Sequence, residues 1–144
     1  MNAALTALQA RKEVNPKKIG AIGYCFGGTS ALELARSGAD IVGVVSFHGG
    51  LATPAPEDAK NIKAKILVCH GADDPHVPMT ELAAFVDEMK NAKVNYQVNV
   101  YGGAVHTFTN PAAGDDPTKG SAYNEQADKR SWQEMKEFFA EVFR

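Results

Sequence analysis

Gly23-Tyr24-Cys25-Phe26-Gly27-Gly28 is a cysteine framed by glycines, standing between a short apolar run and an amphipathic one. The run before it, Lys18-Ile19-Gly20-Ala21-Ile22, reads as a buried strand, and the run after it predicts a helix from near Gly27 to Ser37-Gly38, with Gly38 as a left-handed cap. A strand that turns at once into a helix holds its central residue in a strained conformation. It therefore asks for residues almost without side chains two before and two after, a need that Gly23 and Gly27 are expected to meet. That arrangement is a nucleophile elbow with sulfur in place of oxygen. At a helix N-terminus beside an imidazole, a thiol is expected to have a lowered pKa, because both environments favour the thiolate.

Working outward, residues 2–11 favour a helix, with Asn2 as its cap and Leu5 and Leu8 on one face, ending before the Asn15-Pro16 turn. Ile41 to Phe47 is a β-branched apolar run of the kind that lies buried on both faces of a sheet. Residues 48–62 carry Gly49-Gly50, Pro54 and Pro56, and hold a loop or a very short helix. Lys65 to His70 is another buried strand. It opens into Gly71-Ala72-Asp73-Asp74-Pro75-His76-Val77-Pro78, a loop at a strand end, where α/β proteins place chemistry. Leu82, Phe85, Val86 and Met89 recur at helical spacing between Thr80 and Asn91. Val94 to Tyr101 alternates as a final strand, ending at Gly102-Gly103-Ala104-Val105-His106. Thr109 to Ser121 is a polar loop, and Trp132, Met135, Phe138, Phe139, Val142 and Phe143 form one apolar helix face read as core.

Strands alternating with helices predict an α/β fold with a four-stranded parallel sheet. Cys25, Asp74 and His106 each follow a predicted strand, so they can meet at one sheet edge. There His106 would take the thiol proton and Asp74 would fix the imidazole tautomer, in the chain order nucleophile, acid, histidine. Asp73 competes with Asp74 for the acid role, and either residue also suits a turn or a cap. Cys69 reads as packing, His76 as a solvent-facing turn residue, and His48 and His70 as structural or pocket-lining. No His or Cys spacing supports zinc, so no metal ligand and no cofactor is assigned.

Composition bounds the function classes. The chain has 144 residues, 44% of them hydrophobic, enough for one domain with its own core. A net charge of −2 with interleaved signs argues against nucleic-acid and membrane partners and leaves small molecules. Two cysteines make no disulfide framework, which fits a reducing cytoplasm. No apolar run reaches the roughly 18 residues of a membrane span.

Gly-Tyr-Cys-Phe-Gly-Gly at 23–28, His-Gly-Ala-Asp-Asp-Pro-His-Val-Pro at 70–78 and Tyr-Gly-Gly-Ala-Val-His-Thr-Phe at 101–108 together resemble the dienelactone hydrolase family. Its members are α/β-hydrolases with a cysteine nucleophile that cleave esters and lactones. The resemblance runs from about Val14 to the C-terminus. It implies Cys25 as nucleophile, Asp74 as acid, His106 as base and the Phe26 backbone N–H as one oxyanion donor. It also implies that residues 1–144 form a single α/β-hydrolase-like domain corresponding to the family's C-terminal portion. The family's N-terminal strands would be absent, the elbow strand would be a sheet edge, and the second oxyanion donor would have no source. A homodimer partner or an N-terminal partner segment is then expected to cover that edge. At Asn110, where the type enzymes are expected to carry an arginine for a substrate carboxylate, the resemblance points away from dienelactone itself. The expected activity is hydrolysis of small carboxylic esters or lactones. The alternative is a non-catalytic or poorly active C-terminal fragment or assembly module, and a redox role for Cys25 has no nearby second cysteine to support it.

Overall fold

The computed structural model describes residues 1–144. Four parallel strands, β1 (Gly20–Tyr24), β2 (Gly43–Phe47), β3 (Lys65–Gly71) and β4 (Tyr96–Tyr101), lie side by side in that order. Helices α1 (Asn2–Gln9), α2 (Phe26–Arg36), α3 (Met79–Ala92) and α4 (Glu125–Val142) flank them, with short 3₁₀ turns at Pro56–Asn61, Pro111–Ala113 and Pro117–Lys119. This is the expected α/β architecture. The central strands are the continuous apolar runs of the sequence: every residue of β2 is buried, as are Ile66 to Gly71 of β3.

The sheet separates two cores. On one face Ala31, Leu32 and Ala35 of α2 and Leu82, Phe85 and Met89 of α3 pack over Val44, Ile66 and Val68. On the other, Met135 and Ala127 of α4 pack with Phe108 over Val45, Phe47, Leu67 and Cys69. A buried ion pair joins α2 to α3: the Arg36 guanidinium donates to both carboxylate oxygens of Glu88 (2.8 and 2.7 Å), to Glu33 (2.7 Å) and to the Leu51 carbonyl (3.0 Å). With its guanidinium forked across Glu88 and further bonds to Glu33 and Leu51, Arg36 meets the geometric condition under which a buried charge is tolerated.

Local expectations fare unevenly. Gly38 does take the left-handed conformation (φ 77°) just past α2. Asn2 is the first helical residue of α1 and caps nothing; Met1 occupies the cap position without a side-chain bond. Trp132 is not core: it is 48% exposed, because the buried line of α4 runs through Ala127, Ser131 and Met135 and puts Trp132 on its flank. Gly23 is sterically required, since a Cβ there would stand 2.0 Å from the Gly27 carbonyl oxygen. Gly27 is not, because its Cβ would meet open space; the crowded glycine on the helix side is Gly28, pressed against Ser46 and Gly49.

β1 forms one edge of the sheet, paired with β2 on one side only. Ile22 and Tyr24 along it are exposed, as is Phe26 at the start of α2, by 83%.

Candidate active site

The three strand ends converge as the chain order requires. Cys25 sits between β1 and α2 at φ 51° and ψ −124°, the strained geometry expected of an elbow. Phe26 opens α2, so its N–H lies in the first turn, where the helix itself supplies no acceptor, and its ring is exposed. Asp74 follows β3 and is buried. Its Oδ1 accepts the His76 and Val77 N–H groups (2.8 and 3.1 Å), which aims Oδ2 at His106 Nδ1, 2.8 Å away. His106 is pinned through its backbone: its N–H donates to Gly120 and its carbonyl accepts from Ala122. With Nδ1 engaged by Asp74, Nε2 is left for the sulfur, and one side-chain ligand atom each from Cys25, His48 and His106 lie within 4.8 Å of one another. Asp73 is exposed and accepts the Gly103 N–H (3.1 Å), so the acid facing the histidine is Asp74.

His48, just past β2, comes closer to the sulfur than the sequence suggested: its Nδ1 lies 3.2 Å from Cys25 Sγ. The Cys25 N–H, shared with the Phe47 carbonyl, also donates to that nitrogen (3.3 Å). Nδ1 is therefore the acceptor and Nε2 carries the proton, which it donates to Thr109 Oγ1 (2.9 Å). Thr107 Oγ1 stands 4.0 Å from the sulfur. Cys25, His48 and Thr107 are three of the four non-glycine residues with positive φ, so the strained backbone gathers around the thiol. Sequence reasoning placed His48 only as structural or pocket-lining and passed over Thr107 and Thr109. A polar residue on either side of Phe108 beside a candidate base was the available signal.

Charge states differ from expectation at the sulfur. Burial pushes the Cys25 thiol up, the hydrogen bond to Thr107 pulls it down and the Asp74 charge pushes it up again, with a net rise in place of the expected fall. The neighbouring His48 supplies no positive charge to oppose this, since burial, reinforced by His106, lowers its pKa to about 4. Burial also raises Asp74, but the hydrogen bonds from His106, His76 and Val77 outweigh it and hold the carboxylate below its usual range. Cys69 lies fully inside, and burial lifts it to about 12, so that thiol is packing. His76 is exposed, and Asn110 caps the Pro111–Ala113 turn by accepting the Ala112 N–H (3.0 Å).

A sequence model described as the dienelactone hydrolase family matches residues 1–143. The chain belongs to the dienelactone hydrolase family. An uncharacterized protein of Caenorhabditis elegans is 37% identical over 146 residues, covering 99% of this chain and 92% of its own. The carboxymethylenebutenolidase homolog of Mus musculus is 28% identical over 118 residues, covering 81% of this chain and 47% of its own. Among solved structures, a dienelactone hydrolase-like promiscuous phosphotriesterase from metagenomic libraries superposes with a TM-score of 0.92 at 48% identity, over 99% of this chain and 60% of that one. The dienelactone hydrolase of Anabaena variabilis, at 22% identity and a TM-score of 0.71, shares the fold. The chain thus spans about half the length of the mouse relative and 60% of the phosphotriesterase, but nearly all of the nematode protein.

Proposed function

We propose that the chain is a hydrolase of small carboxylic esters or lactones, working through Cys25, His106 and Asp74. The observation that carries this is the hydrogen bond from His106 to a buried, low-pKa Asp74, with the other ring nitrogen left for a cysteine on a strained strand-to-helix turn. An imidazole oriented by a carboxylate near a thiol is arranged for general-base catalysis: His106 takes the thiol proton as sulfur attacks the carbonyl carbon, and Asp74 steadies the imidazolium. The oxyanion then meets the Phe26 N–H. Collapse expels the alcohol with the proton from His106 and leaves a thioester on Cys25. Water, deprotonated by His106, releases the acid. Each residue ends in its starting state, and no cofactor takes part. Because the similar solved protein at 48% identity is described as a promiscuous phosphotriesterase, phosphotriesters are a second substrate class for the same attack.

A second reading has its own observation. β1 is an open edge carrying the exposed apolar side chains of Ile22 and Tyr24. On this view the chain is a weakly active module whose edge takes a second copy or a further segment, and losing one oxyanion donor costs about 10²- to 10³-fold in rate. Steady-state hydrolysis of a nitrophenyl ester by the 144-residue chain separates the readings. Rapid turnover that drops more than about 10³-fold in Cys25→Ala is the expected result. Turnover indifferent to that substitution would rule out the cysteine mechanism, and a rate within 10²-fold of the uncatalysed reaction would favour the module.

A further inference from the structure

We propose that Cys25, His48 and His106 form a binding site for a zinc-class divalent cation, a role distinct from ester hydrolysis. The geometry comes first. Tetrahedral zinc holds thiolate sulfur at about 2.3 Å and imidazole nitrogen at about 2.0 Å, which sets neighbouring ligand atoms roughly 3.5 Å apart. Cys25 Sγ and His48 Nδ1 are 3.2 Å apart, and these two atoms and a His106 nitrogen all lie within 4.8 Å of one another. Spacings from 3.2 Å up to at most 4.8 Å bracket the separation a tetrahedral ion asks of its ligand atoms. One sulfur and two imidazoles are the donor set that selects zinc-like ions over magnesium or calcium.

The groups behind the ligands fit a metal site as well. A ligating imidazole is characteristically held by a hydrogen bond from its other ring nitrogen, which fixes tautomer and ring plane. Both histidines have that support: His106 Nδ1 donates to Asp74 and His48 Nε2 donates to Thr109 Oγ1. Each ring therefore keeps one nitrogen free for an ion. Cys25 and His106 are only partly buried, so an ion can enter from solvent and keep water as its fourth ligand.

Binding balances simply. Whether the resting pair is thiol and imidazole or thiolate and imidazolium, it holds one proton; the ion forms bonds to sulfur and two nitrogens, and that proton leaves to solvent. The bound sulfur is no longer free to attack a carbonyl, so zinc would also silence the proposed hydrolysis. The binding itself does not depend on the hydrolytic reading, and its measurement uses no ester.

The test is zinc affinity of the reduced, metal-free chain by competition with a chromophoric chelator, alongside cobalt(II) absorption. One zinc per chain is expected, with a thiolate-to-cobalt charge-transfer band. Cys25→Ala and His48→Phe should lose both signals, Thr109→Val should weaken zinc about 10-fold, and His76→Ala, altering an exposed histidine near His106, should bind as the parent does. The cobalt band is read on the unmodified chain, so a variant that fails to fold does not decide the matter. Absence of the charge-transfer band, or zinc affinity equal in the parent and Cys25→Ala, overturns the site. Binding that needs Cys25 but is indifferent to both His48 and Thr109 overturns the three-ligand assignment.

Discussion

Burial raises the pKa of the Cys25 thiol, so the proposed hydrolysis calls on a base that acts during attack. The reason lies in residues remote in sequence: His48 is neutral, Asp74 is the nearby charge, and neither fact is visible in the hexapeptide around the cysteine. The same burial makes His48 a stability determinant. Its folded pKa is about 4 against a reference of 6.5. Above about pH 6.5 the ring is neutral both folded and unfolded and contributes no pH dependence. Below that, the unfolded chain binds a proton that the folded chain refuses, so stability falls as pH drops towards the folded pKa, by on the order of 3 kcal/mol in all. His70, also pushed down by burial, adds in the same direction. Urea midpoints taken with a chelator present should therefore be level above about pH 6.5 and decline steadily to about pH 4. A midpoint that rises on acidification through that window would contradict the assignment.

At the scale of elements, the strand-to-helix turn shows which glycine matters. A Cβ on Gly23 collides with the Gly27 carbonyl, a backbone atom that cannot swing aside, whereas a Cβ on Gly27 points into open space in the first turn of α2. Gly23→Ala should lower stability by about 1–3 kcal/mol, as overpacking does, and Gly27→Ala should be neutral or stabilising by up to about 1 kcal/mol through helix propensity. Thermal melts of the two variants check this; equal losses would mean that the turn is not packed as described. The contrast also marks what sequence could deliver. Strand, turn and helix were legible because glycine, β-branched and amphipathic spacing are local signals, and Asp74 and His106 followed because strand ends in a parallel sheet share one edge. The symmetric need for glycine on both sides of Cys25 was an overextension, since only backbone coordinates tell Gly27 from Gly28. Trp132 was misassigned for a related reason: a helix face six residues wide does not reveal which line of it meets the sheet.

For the whole molecule, the parallel sheet gathers Cys25, His48, Asp74 and His106 at the carboxyl ends of β1, β2, β3 and β4, one residue from each strand end. His48 escaped recognition because nothing near it in sequence marks it; its role is set by the β1–β2 register, which places Tyr24 opposite Phe47 and so sets the next residues, Cys25 and His48, side by side. The same topology leaves the β1 edge open next to Cys25, and the chain spans 60% of the similar solved phosphotriesterase. The central claim is that this strand-end cluster performs covalent catalysis at Cys25. It is tested most directly by rapid-quench mass spectrometry of the chain during turnover of an aryl acetate. An acetyl adduct confined to the peptide containing Cys25 is expected; hydrolysis that proceeds with Cys25 unmodified and another residue acetylated would rule out covalent catalysis at Cys25.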